Sequence, residues 1–550
     1  MICILHGWLL EGSGSNLWTR SIVTALARAG ETVHLMCQEN HPQLYDCIAE
    51  SYRYDEDCNP HQEFARETPY AGRCIMHHPW IGETLPVFVW DEYEEYENVV
   101  PMIELADVEL EAYVTRNVEV LRRIVRDYGI TAIHANHAVP MSMVAQRVRR
   151  ETGVPFAIMP HGSGIEYAVK KDRRFAAYAA SAFVDAARIF VIGSEMRDRV
   201  KTVFPHVPDL AEKFVELHLG VDTSQFDIVA REDRPGRIHR LRAELAGAER
   251  GKTREQSESM LNQLSTKLDR HEMRQLFIES AAYNGKLPDE AVEAKLASVD
   301  WIANPTLLFT GRIISMKGIQ TVIAALPLIL RRVPDLRLIV VGHGPLREPM
   351  EALVHSLETG TRETVMQIVE WGKALEGDPD GDATSHRLSD VSDFLSMLAS
   401  RNELDGYFEA GRQVRASNVI FTGYLTHTQL RHLFPCCDVG VFPSIVREAG
   451  PLVFLEALAS GCFPLGTYFG GMRASIDSAA SVVPGDISRL MMIDPGNPVG
   501  DIASHVPDAV GVDRSHREAL ARLARDKYDW TSVGTVLRRE LGSLERQAVT

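Results

Sequence analysis

The chain has 550 residues, and 45% of them are hydrophobic, a composition that argues against intrinsic disorder. This length predicts two large domains or several small ones. The net charge of −17 argues against a general affinity for nucleic acid or anionic membranes, so we expect no nucleic-acid partner and, for any phosphate, a local cationic pocket.

The N-terminal segment "MICILHGWLL" predicts a buried first strand rather than a signal peptide, because no basic region precedes it. No run of about 18 apolar residues occurs, so we expect no transmembrane segment and a cytoplasmic protein. The eight cysteines contain no C-x-x-C pair, which favours reduced thiols over zinc. A zinc site would have to use three cysteines and three nearby histidines, namely Cys37, Cys47, Cys58, His34, His41 and His61.

Residues 1–222 alternate strand-like and helix-like segments. "ICILHGWL" and "ETVHLMC" predict strands, and "NLWTRSIVTALARAG" predicts a helix with Asn16 as its N-cap and Gly30 just past its end. "ITAIHAN", "VPFAIMPHG" and "RIFVIGS" predict further strands. Such alternation is typical of parallel strands covered by helices, so we expect an N-terminal Rossmann-like domain. Residues 40–110, rich in Tyr, Glu, His and Pro, fit this pattern poorly and predict a partly ordered insertion.

A second alternating block lies within residues 223–530, where "PTLLFT", "LRLIVVG", "NVIFTG" and "DVGVFPS" predict strands. Charged, helix-rich insertions interrupt this block at about 230–300 and 355–415. The sequence therefore predicts an α/β fold of two Rossmann-like doubly wound domains facing a cleft, with helical insertions in the second domain. Ligands of open α/β sheets bind beyond the carboxyl ends of the strands, so the loops that follow strands are the informative ones.

The segment "LLFTGRIISMKGI" places two cations after a predicted strand. The strand ends at Gly311, Arg312 follows directly, and Lys317 comes five residues later, before a helix. Two cations beside a helix N-terminus suit a diphosphate, because they neutralise charges that are costly to bury alone. The alternative is a solvated loop with two ordinary surface cations.

The segment "REAGPLVFLEALASG" predicts a helix that begins at Pro451 and ends at Gly461. Glu448 then lies in the preceding loop and Glu456 in the second turn. A carboxylate accepts paired hydrogen bonds, which the vicinal hydroxyls of a ribose or a hexose donate. The alternative, an exposed Glu456 on an amphipathic helix, fits the surrounding apolar "LVFLEALA" poorly.

The ordered series "HLGVDTSQF", "FTGRIISMKGI", "VVGHGP", "NVIFTGYL" and "PSIVREAGPLVFLEALASG" resembles retaining glycosyltransferases of the GT-B fold, family-4 type (glycosyl transferases group 1). The resemblance covers residues 1–225 loosely and 300–530 closely. It implies that Gly311, Arg312 and Lys317 hold a nucleotide diphosphate. It also implies that Glu448 contacts hydroxyls of the donor sugar and that Glu456 binds the ribose.

Further site residues are implied by the same resemblance. Backbone amides near the sugar and the phosphates would come from Ala449, Gly450 and Leu452, whereas Pro451 has none to donate. In "MPHGSGIEY", His161 would approach the primary hydroxyl of the sugar. In "EGSGSN", Gly12 and Gly14 would lie beside the leaving phosphate or the acceptor.

For these N-terminal residues structural alternatives stay open. His161 would then be a satisfied structural histidine, and the glycine-rich loop a tight turn. Glu166 and Lys170 either reach the acceptor or begin a solvated helix.

The resemblance implies that a hexose moves from a nucleotide-diphosphate sugar to an acceptor hydroxyl with retention, the departing phosphate taking the acceptor proton. Arg312, Lys317 and a helix N-terminus would stabilise the leaving group, so we expect no metal and no cofactor. One alternative is a phosphorylase or sugar epimerase with orthophosphate at the same cations. Another is a non-catalytic nucleotide-sugar-binding protein. The base, the sugar and the acceptor are not identified by the sequence.

Two expectations concern long-range packing. The C-terminal segment 531–550, with Thr531 as N-cap and one apolar stripe, should pack on the N-terminal domain. The two insertions carry apolar residues at helical spacing, so we expect them to pack on each other as a lobe outside the donor pocket. Such a lobe would serve acceptor access or assembly, for example as a homo-oligomer. The C-terminal stripe consists of Val533, Val536, Leu537 and Leu541.

Overall fold

The structure is a computed structural model. It describes residues 1–12, 14–88, 96–376, 386–447, 450 and 452–548, with side chains up to residue 544. In chain order the strands are β1 (Ile2–Leu5), β2 (Thr32–Met36), β3 (Ile48–Tyr54), β4 (Pro60–Ala65), β5 (Arg73–His78), β6 (Thr84–Val87), β7 (Asn98–Pro101), β8 (Ala132–Asn136), β9 (Phe156–Met159), β10 (Arg188–Val191), β11 (Phe214–Glu216), β12 (Thr306–Thr310), β13 (Arg337–Val341), β14 (Val419–Gly423), β15 (Val439–Phe442), β16 (Phe463–Thr467) and β17 (Met492–Ile493).

The α-helices, in the same order, are α1 (Gly14–Arg28), α2 (Asp107–Tyr128), α3 (Met141–Thr152), α4 (Gly162–Gly164), α5 (Arg173–Asp185), α6 (Ser194–Val203), α7 (Arg234–Leu245), α8 (Arg254–Gln263), α9 (Arg270–Ser280), α10 (Val292–Ala297), α11 (Ile319–Arg332), α12 (Arg347–Thr359), α13 (Arg362–Glu376), α14 (Ser389–Ser400), α15 (Leu404–Gly411), α16 (His427–Leu433), α17 (Leu452–Ser460), α18 (Gly470–Ala480), α19 (Gly485–Leu490), α20 (Pro498–Val510), α21 (Arg514–Leu523) and α22 (Trp530–Ala548). None of the helices in the described ranges is both long enough and apolar enough to cross a membrane.

The chain divides into two compact units. Unit 1 comprises Met1–Val221 and Asp526–Thr550, and unit 2 comprises Asp222–Arg525. Each unit contains its own sheet with helices packed on it, and this is the two-domain α/β fold with parallel sheets that the alternating pattern predicts.

The unit 1 sheet has the order β11-β10-β9-β8-β1-β2-β5-β3-β4, and its neighbours run parallel except for the antiparallel pair β3/β4. The prediction of a partly ordered insertion at residues 40–110 is therefore wrong for its described part, because β3, β4 and β5 extend this sheet. The unexpected strand β5 carries the buried His77, whose Nε2 lies 2.9 Å from Nδ1 of His34 on the predicted strand β2. Residues 89–95 of this segment lie outside the described residues.

The C-terminal helix α22 belongs to unit 1 and packs on α1 and β8. Its buried side chains form one stripe, Val533, Leu537, Leu541 and Leu544. Two predicted N-caps are wrong. Thr531 lies inside α22, where its backbone N–H donates to the Asp529 carboxylate at 2.8 Å, so that aspartate takes the capping role. Asn16 lies inside α1, and its side chain faces His6 instead.

The unit 2 sheet is wholly parallel, with the order β14-β13-β12-β15-β16-β17. Its strands are short apolar runs such as "TLLFT" and "RLIVV", which are typical of a sheet covered on both faces. The strand order runs outward from β12 to β14 and then restarts at β15 on the other side. The point where the order reverses therefore lies between β12 and β15.

The two helical insertions do contact each other, because α9 packs on α13. At that contact Nε2 of Gln367 donates to the carbonyl oxygen of Thr266 at 3.2 Å. The prediction of a separate lobe is nevertheless wrong. Helices α14 and α15 pack on α11, while α7 packs on α16 and α10 on β14, so most of both insertions rests directly on the sheet domain. The reason is that each helix buries its apolar stripe most completely against the core nearest to it.

Candidate functional site

In unit 2, the loops that follow β12 and β15 meet at the point where the strand order reverses, the usual ligand position in open α/β sheets. After β12 come Gly311, the exposed Arg312 and a short 3-10 turn that contains the half-buried Lys317. The backbone N–H of Ile445 donates to the carbonyl oxygen of Met316 at 2.9 Å, which ties the two loops together. Both predicted cations therefore lie at the expected edge of the sheet.

Two glycines make this edge compact. Gly318 has φ +78°, and a Cβ there would lie 2.0 Å from the carbonyl oxygen of Pro443. Gly342, after β13, has φ +140°, and its Cβ would lie 1.8 Å from the carbonyl oxygen of Gly311. Only glycine permits these approaches, so the loops after β12, β13 and β15 are held in direct backbone contact.

Helix α17 follows β15 and begins at Leu452, with Glu456 in its second turn, as the motif predicts. Glu456 is only 5% exposed. Its Oε1 lies 3.0 Å from Nδ1 of His427, and its buried Oε2 has no hydrogen-bond partner among the described residues. A buried carboxylate oxygen without a partner is costly, and it is an acceptor available to a ligand hydroxyl.

Three residues of the predicted site lie outside the described residues, namely Glu448, Ala449 and Pro451. Gly450 and Leu452, on either side of Pro451, are both half-buried. The predicted amide contacts of this loop stay predictions.

His427, the first residue of α16, was not among the residues predicted from the sequence. Thr426 caps this helix, and Gln429 completes the capping box. The signal was present, because "THTQ" after a predicted strand is a capping box that places His427 in the first turn, at the carboxyl edge of β14. A second missed residue is Glu376 at the end of α13, which accepts a hydrogen bond from the backbone N–H of Ser315 at 3.0 Å and so braces the turn that carries Lys317.

Unit 1 has its own reversal of strand order, between β1 and β8. Three histidines follow the strands around it: His6 after β1, His137 after β8 and His161 after β9. The ring centroids of His137 and His161 are 4.7 Å apart, and those of His6 and His137 are 6.2 Å apart. The sequence predicted only His161 of this cluster.

His161 is buried, and its Nε2 donates to Oδ1 of Asn136 at 2.9 Å. Burial, followed by the neighbouring His6 and His134, lowers the pKa of His161 to about 3, so the imidazole is neutral at physiological pH. Asn136 is itself fixed, because its Nδ2 donates to Thr19 at 3.0 Å. A neutral, oriented imidazole is suited to hydrogen bonding rather than to charge stabilisation.

His137 adopts the left-handed conformation, with φ +69°. The ring of this buried residue packs against Trp8 and Phe88, and neither of its nitrogens has a hydrogen-bond partner within the described ranges. Strain and an unsatisfied buried polar group at one residue are typical of functional sites.

The predicted glycine-rich loop precedes α1. Gly12 has φ +97°, Gly14 is the first residue of α1, and both are exposed. A Cβ at Gly14 would meet nothing within 4 Å, so this position faces open space. Lys170 and Glu166 pair with each other at 2.7 Å, and Arg199 also contacts Glu166 at 3.3 Å.

The cysteines and histidines do not form a metal centre in the described part of the chain, where no group of three or more His, Cys, Asp or Glu side chains has a metal-binding arrangement. All eight cysteines are free thiols, and burial raises the pKa of every one of them. The zinc alternative built on Cys37, Cys47 and Cys58 therefore has no support within the described residues.

Comparisons with known proteins agree with the fold and the motifs. Residues 88–225 match the family model "Glycosyltransferase Family 4", and residues 302–373 and 394–506 match models of "Glycosyl transferases group 1". Glycogen synthase of Mycobacterium tuberculosis is 28% identical over 145 residues. That match covers 26% of this chain and only 33% of the glycogen synthase.

Two solved structures share the fold over nearly the whole chain. Sucrose-phosphate synthase from Thermosynechococcus elongatus is 16% identical with a TM-score of 0.51, over 99% of this chain and 98% of that one. Anabaena HepE, solved in complex with UDP-glucose, is 14% identical with a TM-score of 0.50, over 98% and 99% of the two chains. The chain thus carries glycosyltransferase family 4 and group 1 segments in a GT-B fold, and the resemblance seen in the motifs is confirmed.

Proposed function

We propose that the protein transfers a hexose from a nucleotide-diphosphate sugar to an acceptor hydroxyl. The premise is that the chain carries family-4-type glycosyltransferase segments in a GT-B fold. Unit 2 would hold the donor, at the reversal of strand order between β12 and β15. The acceptor is a hydroxyl compound whose identity the residues leave open.

The observation that carries this proposal is the environment of Glu456. Its carboxyl is buried, one oxygen contacts His427, and the other has no hydrogen-bond partner in the described part of the chain. An oxygen kept in this state is explained by a ligand hydroxyl that completes it, and a ribose supplies two adjacent hydroxyls. Glu456 would therefore bind the ribose of the donor.

Arg312 and Lys317 would hold the diphosphate. They follow the central strand β12, and the turn between them is fixed by Gly318 against Pro443 and by Glu376 against the N–H of Ser315. As the glycosidic bond breaks, negative charge grows on the departing diphosphate, and these cations would stabilise it. We propose that the reaction needs no metal, because side-chain cations perform this task.

The remaining roles follow the resemblance. Glu448 would contact hydroxyls of the donor sugar, with amides of Ala449, Gly450 and Leu452 beside the sugar and phosphates. In unit 1, the neutral imidazole of His161 would accept a hydrogen bond from the sugar's primary hydroxyl at Nδ1, because its Nε2–H already donates to Asn136, and Gly12 and Gly14 would leave room for a ligand. We propose retention of configuration, the departing phosphate oxygen taking the proton of the acceptor hydroxyl as the new glycosidic bond forms.

The first test is a thermal-shift screen of nucleoside diphosphates and nucleotide sugars, beginning with UDP-glucose. A ligand at 100 times its dissociation constant stabilises the folded state by about 2.7 kcal/mol, a shift that is readily measured. Arg312→Ala and Lys317→Ala should each remove about 1.5–3 kcal/mol of binding free energy, the value of a charge-assisted hydrogen bond.

A matched control is Arg331→Ala, which removes an exposed cation from the opposite end of α11. It should bind nucleotide like the unchanged protein. Normal nucleoside-diphosphate affinity in both site variants would refute the donor site, and release of a sugar phosphate from a glycoside and orthophosphate without nucleotide would point to a phosphorylase.

A further inference from the structure

A loop of the first insertion lies at the carboxyl edge of the unit 2 sheet, beside the end of β14. This loop, Asn284–Leu287, is part of the segment that connects α9 with α10. The backbone N–H of Tyr424, just after β14, donates to the carbonyl oxygen of Leu287 at 3.1 Å. The next residue, Pro288, pairs with Gly423 at the end of β14 in an isolated antiparallel bridge.

The loop is anchored rigidly by Asp289, which directly follows the bridge. The backbone N–H of this buried residue donates to the carbonyl oxygen of Thr422 at 2.8 Å. Its carboxylate accepts from Arg347 at 2.9 Å and from Lys295 at 2.5 Å, within a buried ion-pair network. An anchor of this kind keeps the loop in one position relative to β14.

Two half-buried rings lie beside this loop. His343 follows β13 and Tyr424 follows β14, with ring centroids 5.6 Å apart and planes at 79°. A Cβ at Gly285 would lie 3.5 Å from the Cβ of His343, so the loop backbone passes close to that residue. Burial, then the charges of Arg312 and Lys286, lower the pKa of His343. The charges of Lys286 and of Arg312, one of the two proposed diphosphate ligands, thus both act on His343.

The position of the nucleoside half of the donor follows from the strand order. The diphosphate is proposed beside β12 and β15, and Glu456, the proposed ribose ligand, contacts His427 at the start of α16, directly after β14. A nucleotide that spans these points directs its base toward the carboxyl ends of β13 and β14. These are the positions of His343, Tyr424 and the inserted loop.

We propose that the loop Asn284–Leu287 forms one wall of the nucleobase subsite and that Lys286 donates a hydrogen bond to a carbonyl oxygen of the base. This inference rests on the proposed donor site. An ammonium has three donors and no acceptor, so it pairs with the carbonyl oxygens of uracil or guanine, which adenine lacks. The rings of His343 and Tyr424 offer apolar surface for the base. Lys286 is thus a specificity-determining residue, supplied by the insertion.

The test compares the affinities of UDP, GDP, ADP and inorganic pyrophosphate, measured by calorimetry for the full-length chain. Lys286→Ala should weaken the better-bound of UDP and GDP about five- to tenfold, because an exposed charge-assisted bond is lost, and should leave pyrophosphate within about twofold. Lys286→Arg, which keeps a donor, should restore most of the affinity. Lys267→Ala, which removes an exposed lysine of the same insertion, is the matched control and should change nothing.

The outcomes separate this inference from the proposed function. If Lys286→Ala lowers the affinity for pyrophosphate as much as the affinity for the nucleotide, Lys286 is a phosphate ligand and the nucleobase assignment is wrong. If neither changes while Arg312→Ala still weakens both, the inserted loop has no role in binding although the donor site stands. If ADP is the best-bound nucleotide, the preference for a carbonyl base is refuted. If Arg312→Ala also has no effect, the donor site itself is wrong.

Discussion

Replacing Glu456 by glutamine tests the proposed ribose site with almost no change in the shape of the side chain. The variant keeps one carbonyl oxygen but loses the charge of the carboxylate. A hydrogen bond to a charged group contributes about 1.5–3 kcal/mol, and a neutral one about 0.5–1.5 kcal/mol. The difference for one retained bond is therefore about 1–1.5 kcal/mol, which is about a five- to tenfold loss of nucleotide affinity.

The assay is calorimetric titration with the best-bound nucleoside diphosphate and with its 2′,3′-dideoxy analogue. The unchanged protein should bind the analogue at least about tenfold more weakly, because the buried Oε2 then stays unsatisfied. In Glu456→Gln the ratio of the dissociation constants of the analogue and the nucleoside diphosphate should shrink severalfold. Glu363→Gln, which changes an exposed glutamate in the first turn of α13, is the control and should keep the full difference.

The same variant makes a prediction about stability. In the ligand-free protein a buried carboxylate oxygen without a partner costs about 1–3 kcal/mol, and an amide is less costly to bury. Glu456→Gln should therefore unfold in urea with a free energy equal to, or up to about 1 kcal/mol above, that of the unchanged protein. An equal preference for the ribose form in both proteins, or a loss of stability above about 2 kcal/mol, would refute the reasoning and make Glu456 a structural residue.

Three further variants test other parts of the molecule. Gly342→Ala should lower the free energy of unfolding by more than about 3 kcal/mol, because its Cβ would lie 1.8 Å from a carbonyl oxygen. The control Gly236→Ala, with open space around it, should change this free energy by less than about 1 kcal/mol. Similar free-energy changes for the two variants in urea denaturation would contradict this prediction. The unfolded chain protonates histidine near pH 6.5 but His161 in the folded protein only near pH 3, so stability should fall as pH decreases through this window. His161→Gln should reduce that slope by up to about 1.4 kcal/mol per pH unit in acid titrations followed by circular dichroism, and an unchanged slope would show that His161 is not buried as a neutral group. Leu537→Ala, at a fully buried position of α22, should cost about 2–5 kcal/mol in urea denaturation, and a cost below about 0.5 kcal/mol would mean that this helix does not pack firmly.

Local patterns predicted much of the fold. Strands β12 and β13 are short apolar runs, and α17 carries its own start and stop signals, so Glu456 could be placed in the second turn from the sequence alone. The same reasoning failed for β3 to β5. There the buried His77 forms hydrogen bonds with His34 and with Tyr54, both at 2.9 Å. Polar residues of this kind predict a loop unless their hydrogen-bond partners are known. Periodicity detects burial through apolar side chains and misses polar residues that satisfy one another.

The sequence alone determined the α/β class, the two alternating blocks, the place of Arg312 and Lys317 in the loop after β12 and the position of Glu456 on its helix, because each depends on residues adjacent along the chain. Only the tertiary structure decided that His427 contacts Glu456 and that the loop with Lys286 lies beside β14. His427 and Glu456 are 29 residues apart, and Lys286 is more than 130 residues from β14. Contacts over such distances along the chain leave no periodic pattern in the sequence. The contact between Tyr424 and Leu287 is set by the order in which the strands align, and that order is a property of the whole sheet rather than of any one segment.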